Sequence, residues 1–110
     1  MNKAGLFMEV VAKYRQFGWE LRSALLQPAT RSELDTQDIE LLKSVPVQES
    51  TFDALWFSRP SQNNRDAWEL RLLSQNPYAL FETFEPNETE DEREEFKQEM
   101  EARMRDYAHK

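Results

Sequence analysis

Residues 52–84 read FDALWFSRPSQNNRDAWELRLLSQNPYALFETF, and the fold depends on how that stretch is divided. Three runs rich in aromatic and aliphatic side chains stand out: Ala54 to Arg59, Ala67 to Leu73, and Tyr78 to Phe84, which Pro86 closes. Between them lie PSQNNR and SQNP, polar segments of turn-forming residues. Strands this close in sequence predict an antiparallel meander, because a parallel return needs a crossover of a dozen or more residues.

Upstream of the meander, Trp19-Glu20-Leu21-Arg22 repeats the letters of Trp68-Glu69-Leu70-Arg71. Taken alone, residues 19–27 alternate like a strand yet could also continue a helix beyond Gly18. The second copy lies inside the meander. A shared conformation therefore makes the first copy a fourth strand. The same phasing places Trp and Leu of each copy on one face and Glu and Arg on the other. No strand alternates cleanly, so the second face reads as only partly polar. No fixed period extends beyond these four letters, which excludes a solenoid.

Helices flank the sheet segments. Leu6, Val10, Tyr14 and Phe17 fall on one helical face, and Gly18 follows as a helix-ending residue. Pro28 to Glu33 reads as a turn or a capped start, and Asp35 to Lys43 as a short helix that Pro46 terminates. Near the C-terminus, Thr89 and Glu92 have capping-box spacing, with acids crowding the first turn. Phe96, Met100, Met104 and Tyr107 form an apolar stripe, while Arg103, Arg105 and Lys110 lie toward the other end. The expected fold is one α+β domain over residues 1–110, in two layers. A four-stranded, mainly antiparallel sheet carries the N- and C-terminal amphipathic helices on one face, the acidic C-terminal helix covering about 88–108.

Composition narrows the function classes. At 110 residues, the chain can bury one modest core, and three Trp and seven Phe supply large rings for it. It has no cysteine, which rules out disulfides, thiolate metal sites and a cysteine nucleophile. The missing disulfides, and an apolar N-terminal patch broken by Glu9, give a cytoplasmic expectation with no membrane partner. Net charge is −7, and the window from Glu85 to Glu101 accounts for it with nine acids against two bases, Arg93 and Lys97. The rest of the chain is neutral. That balance disfavours nucleic acid, whose binding needs Lys and Arg on phosphates.

Catalytic chemistry finds little support in the residues. The single histidine, His109, is penultimate, where a positioned base or metal ligand is not expected. Only Gly5 and Gly18 are present, too few for a phosphate-cradling loop. The acids of 88–95 fit a charged helix start and lack the glycine of a calcium loop. The expectation is a non-enzymatic protein-interaction or regulatory module without cofactor or metal, self-associating as a homodimer through a sheet face. Its contact residues are expected to be Trp56, Arg59, Glu69 and Arg71, joined by Glu20 and Arg22, since aromatic rings and arginine concentrate at the energetic centres of interfaces. The plain counterpart is a solvated face laced with Glu–Arg pairs. Two other functions stay open: an immunity- or antitoxin-like inhibitor engaging a basic target through the acidic helix, and a small-molecule binder with an aromatic pocket between helices and sheet.

Overall fold

The computed structural model describes residues 3–110. In chain order they form α1 (Lys3–Gln16), β1 (Glu20–Leu26), α2 (Pro28–Glu33), α3 (Thr36–Leu42), β2 (Val47–Glu49), β3 (Ala54–Pro60), β4 (Asp66–Leu72), β5 (Ala79–Phe84) and α4 (Glu90–Ala108). The five strands make one mixed, mostly antiparallel sheet in the order β2-β1-β3-β4-β5. The meander is β3, β4 and β5, antiparallel in sequence. Its first loop holds Asn63 and Asn64 at positive φ, a region asparagine tolerates better than most side chains.

The α+β class, the antiparallel meander and the strand nature of residues 20–26 are as the sequence predicts. A fifth strand is added. β2 is only three residues long and pairs parallel to β1, Ala24 opposite Val47 and Leu26 opposite Glu49. Its length and flanking Pro46 give no strand signature, so the pairing with β1 is what makes it one. The connection from β1 carries α2, which is a complete short helix, and α3, whose N-terminus Asp35 and Asp38 close as a reciprocal capping box.

The placement of the long helices departs from expectation. Alternate residues of β3 enter separate cores. Leu55 and Phe57 pack with Phe7, Val10 and Val11 of α1, whereas Ala54 and Trp56 pack with Leu70, Leu72 and Leu80 beneath Met100 and Met104 of α4. Successive strand side chains point to opposite faces, so α1 and α4 cover opposite faces and the layers number three, not two. The reason lies in the strands themselves. They carry apolar side chains in both phases, and each apolar face needs its own cover.

The repeated motif resolves in the same way. Both copies are extended, but Leu21 lies opposite Phe57 while Leu70 lies opposite Trp56. Neighbouring residues of β3 face opposite ways, so the two copies are inverted. Trp19 and Leu21 join the α1 core; Trp68 and Leu70 join the α4 core. Matching letters gave matching conformation and opposite facing.

Candidate functional site

The six residues singled out in the sequence do not form one surface. Trp56 is buried on the α4 side, where its Nε1 donates to Glu101 Oε2 at 2.9 Å, so it is a core anchor for α4. Glu20 and Arg22 pair with each other at 3.2 Å, and Arg22 Nε donates to Ser58 Oγ at 2.6 Å. A bulge between Leu21 and Ser23 turns Arg22 to that side. Arg59, Glu69 and Arg71 lie on the α1 side, where Glu69 and Arg71 occupy alternate positions of β4. One shared face was expected; three of the residues occupy one side and three the other, because the two motif copies are inverted.

The α1 side nevertheless holds a built surface, and it starts at the end of the helix. Gly18 sits at φ 86° and its N–H reaches Arg15 O, while the Trp19 N–H reaches Tyr14 O, both at 3.0 Å. Those two bonds make a Schellman motif, and the usual apolar contact across it is the Tyr14–Trp19 edge-to-face pair at 6.0 Å. The turn throws Phe17 outward, 61% exposed, and folds Trp19 back into the core. The Arg59 guanidinium then lies over the Trp19 ring, 4.5 Å from its centroid, and donates to Phe17 O at 2.7 Å. Phe81 of β5 meets the same indole edge-on at 6.4 Å while remaining 56% exposed.

Lys13, Tyr14, Phe17, Trp19, Arg59 and Glu69 enclose a cleft of about 320 Å³ here. The Tyr14 hydroxyl donates to the Glu69 carboxylate at its floor. Burial, then the Glu69 hydrogen bond and charge, hold the Tyr14 phenol well above its usual range, with Arg71 opposing. The sequence placed Tyr14 and Phe17 in a core stripe and Trp19 in the core. Phe17 follows the last helical residue, so its phase is set by the capping turn rather than by the helical period. Phe81 had no local signal at all: it shares an ordinary strand alternation with Ala79 and Thr83.

A second polar cluster lies at the opposite end of the sheet. Asp53 is buried and accepts from Gln27 N at 2.8 Å, Gln27 Nε2 at 2.9 Å and Thr30 Oγ1 at 2.7 Å, with Lys3 Nζ at 3.5 Å. Every one of these partners fastens α2 or α1 to the start of β3, so the carboxylate is a structural clasp. His109, expected to be unplaced, forms the C-cap of α4 and has Nε2 3.1 Å from Thr51 Oγ1. Among the described residues, no group of three or more His, Asp or Glu is arranged to hold a metal ion. No helix among them is long and apolar enough to cross a membrane. Comparison of the chain with protein-family models, with curated proteins and with solved structures gives no match in any of the three.

Proposed function

We propose that the chain is a non-enzymatic protein-interaction module that self-associates, with its contact surface on the aromatic patch from Phe17 across Trp19 and Arg59 to Phe81. The carrying observation is the pair of exposed rings, Phe17 and Phe81, flanking a tryptophan capped by arginine. Large exposed rings cost solubility unless something covers them, and aromatics with arginine are the usual energetic centre of a contact. Of the residues named from the sequence, Arg59 and Glu69 belong to this surface, with Arg71 beside them on β4. Molar mass by light scattering at low and moderate salt tests the reading. A dimer at both is expected, with Phe81→Ala weakening it at least tenfold and leaving the thermal transition cooperative. A monomer under both conditions refutes self-association.

One observation favours a second reading, capture of a basic protein by α4. The two bases inside its acidic window face inward: Arg93 pairs with Asp66 at 2.9 Å, and Lys97 lies 3.7 Å from the Trp68 ring centroid. Lys97 also reaches Glu94 at 3.6 Å, and the exposed acids Glu90, Asp91, Glu92, Glu95 and Glu99 face solvent in the first three turns. A complex made this way weakens steeply with ionic strength, whereas the aromatic contact does not.

A further inference from the structure

The two edges of the sheet are built differently. β2 is three residues long, follows Pro46 and exposes Gln48 and Glu49, features that blunt an edge against pairing. β5 is twice as long, reads ALFETF, and carries no proline or lysine. Its pairing to β4 fixes which of its backbone groups stay open. The Tyr78 carbonyl accepts from Leu72 N at 2.9 Å, and the register continues through Leu70 opposite Leu80. Antiparallel strands direct alternate residues' N–H and C=O groups to the same neighbour. Residues 78, 80, 82 and 84 therefore bond to β4, and Ala79, Phe81 and Thr83 direct theirs outward. The Thr83 N–H, consistent with this, is held only by its neighbour's side chain, Glu82 Oε1 at 3.0 Å.

Exposed aromatics ring this edge on both faces. Phe81 stands on the α1 side. On the other side α4 runs antiparallel to β5, Phe96 beside Phe84 at 6.1 Å and Tyr107 stacked on Tyr78 at 3.6 Å, both rings partly open to solvent. These two contacts are placed symmetrically about Phe81. Helical spacing puts Glu92, Glu99 and Arg103 on the same flank of α4 as Phe96 and Tyr107, and Lys110, beyond the helix end, brings its Nζ to 5.7 Å from the Tyr107 ring centroid.

We propose that two copies of this chain join through β5, antiparallel across a two-fold axis at Phe81, to make one ten-stranded sheet. The proposal rests on the self-association reading above and assigns its geometry: of the aromatic patch, Phe81 lies in the contact, Trp19 supports its ring, and Phe17 and Arg59 border it. Centring on Phe81 is the register that uses all three outward residues: Phe81 pairs with Phe81 of the second copy, and Ala79 with Thr83. Phe81 thus belongs both to the aromatic patch and to the edge. The same axis brings Phe96 of one α4 beside Tyr107 of the other. It also sets Glu92 against Lys110 and Glu99 against Arg103 of the second copy, so the flank is complementary to itself in charge as in shape. α4 lies over β4, with Glu101 reaching Trp56 on one side and Phe96 reaching Phe84 on the other. Two such helices stand three strand spacings apart, roughly 14 Å. Helices about 10–12 Å across leave a gap at that distance that the rings fill.

The chain lacks cysteine, so a single introduced thiol reports the register. Oxidised Phe81→Cys is expected to run as a covalent dimer, because residues opposed in a hydrogen-bonded pair have α-carbons about 5.5 Å apart, within disulfide reach. Ala79→Cys alone is expected not to cross-link, its symmetry mate lying roughly 13 Å along the strand. A mixture of Ala79→Cys with Thr83→Cys is expected to cross-link. Phe81→Pro removes an outward N–H and the ring beside Trp19 but no hydrogen bond to β4, so a cooperatively melting monomer is expected. A wild-type dimer that Phe81→Pro leaves intact, or in which position 79 cross-links as readily as 81, overturns the edge pairing while self-association stands. A wild-type monomer overturns both and leaves the edge to a segment of another protein.

Discussion

Tyr14 ties α1 to the sheet in two ways. Its ring stacks on Phe57, centroids 4.1 Å apart and planes 18° from parallel, and its hydroxyl donates to Glu69. The acceptor is 55 residues away in sequence, so nothing local announces the pair. Glu69 was legible as an outward-facing residue of its strand; that α1 covers it was not. Because the folded phenol is raised above its ordinary value, the folded state holds its proton where the unfolded chain gives it up. Stability is therefore fully present below about pH 10 and falls as pH rises beyond it. Tyr14→Phe is expected to cost about 1 kcal/mol at neutral pH, the size of one hydrogen bond. Urea unfolding repeated at about pH 10.5 should show a smaller gap between variant and wild type, since the wild type alone loses stability from this group.

Among the elements, α1 owes its ending to one residue. Gly18 holds φ at 86°, and a Cβ there meets nothing within 4 Å, so Gly18→Ala adds backbone strain without a clash. The expected cost is about 1 kcal/mol, measured by thermal or urea unfolding. Straining the turn also disturbs the wall formed by Phe17 and Trp19, so association should weaken more than the stability loss alone accounts for. α4 shows the limit of local reading from the other direction. Its Thr89 cap, acidic first turn and basic end all follow from the letters, and Thr89 Oγ1 does accept from Glu92 N. Which of its charges face inward was not legible. Arg93 and Lys97 turn toward Asp66 and Trp68 because β4 offers a carboxylate and an indole face beneath them.

At the scale of the molecule, β3 is the shared wall of two cores. Phe7 is fully buried on one side and Met104 on the other, and neither core contains the other's helix. Phe7→Ala is expected to cost about 3–5 kcal/mol and Met104→Ala about 2–5 kcal/mol. Because both cores stand on the same strands, each loss should lower one common transition. Tryptophan fluorescence and far-ultraviolet circular dichroism should coincide along the denaturant axis for both variants. Separate transitions would show the two layers melting independently.

The sequence by itself determined the elements whose signals are local: the turns of the meander, the glycine ending α1 and the capped acidic start of α4. For residues 20–26 local signals left strand and helix open, and only the second Trp-Glu-Leu-Arg copy pointed to strand. Strand periodicity states that neighbours face opposite ways but never which way is inward, and here both ways are. Tertiary structure alone decided that α1 and α4 cover opposite faces, that the two Trp-Glu-Leu-Arg copies are inverted, and that Asp53 clasps α1 and α2 to β3. It also decided that Val47–Glu49 is a strand, since three residues become one only when a neighbour supplies the hydrogen bonds. The aromatic patch belongs to this second class for the same reason: Phe17, Trp19, Arg59 and Phe81 come from four separate segments, and only the register of the sheet sets them side by side.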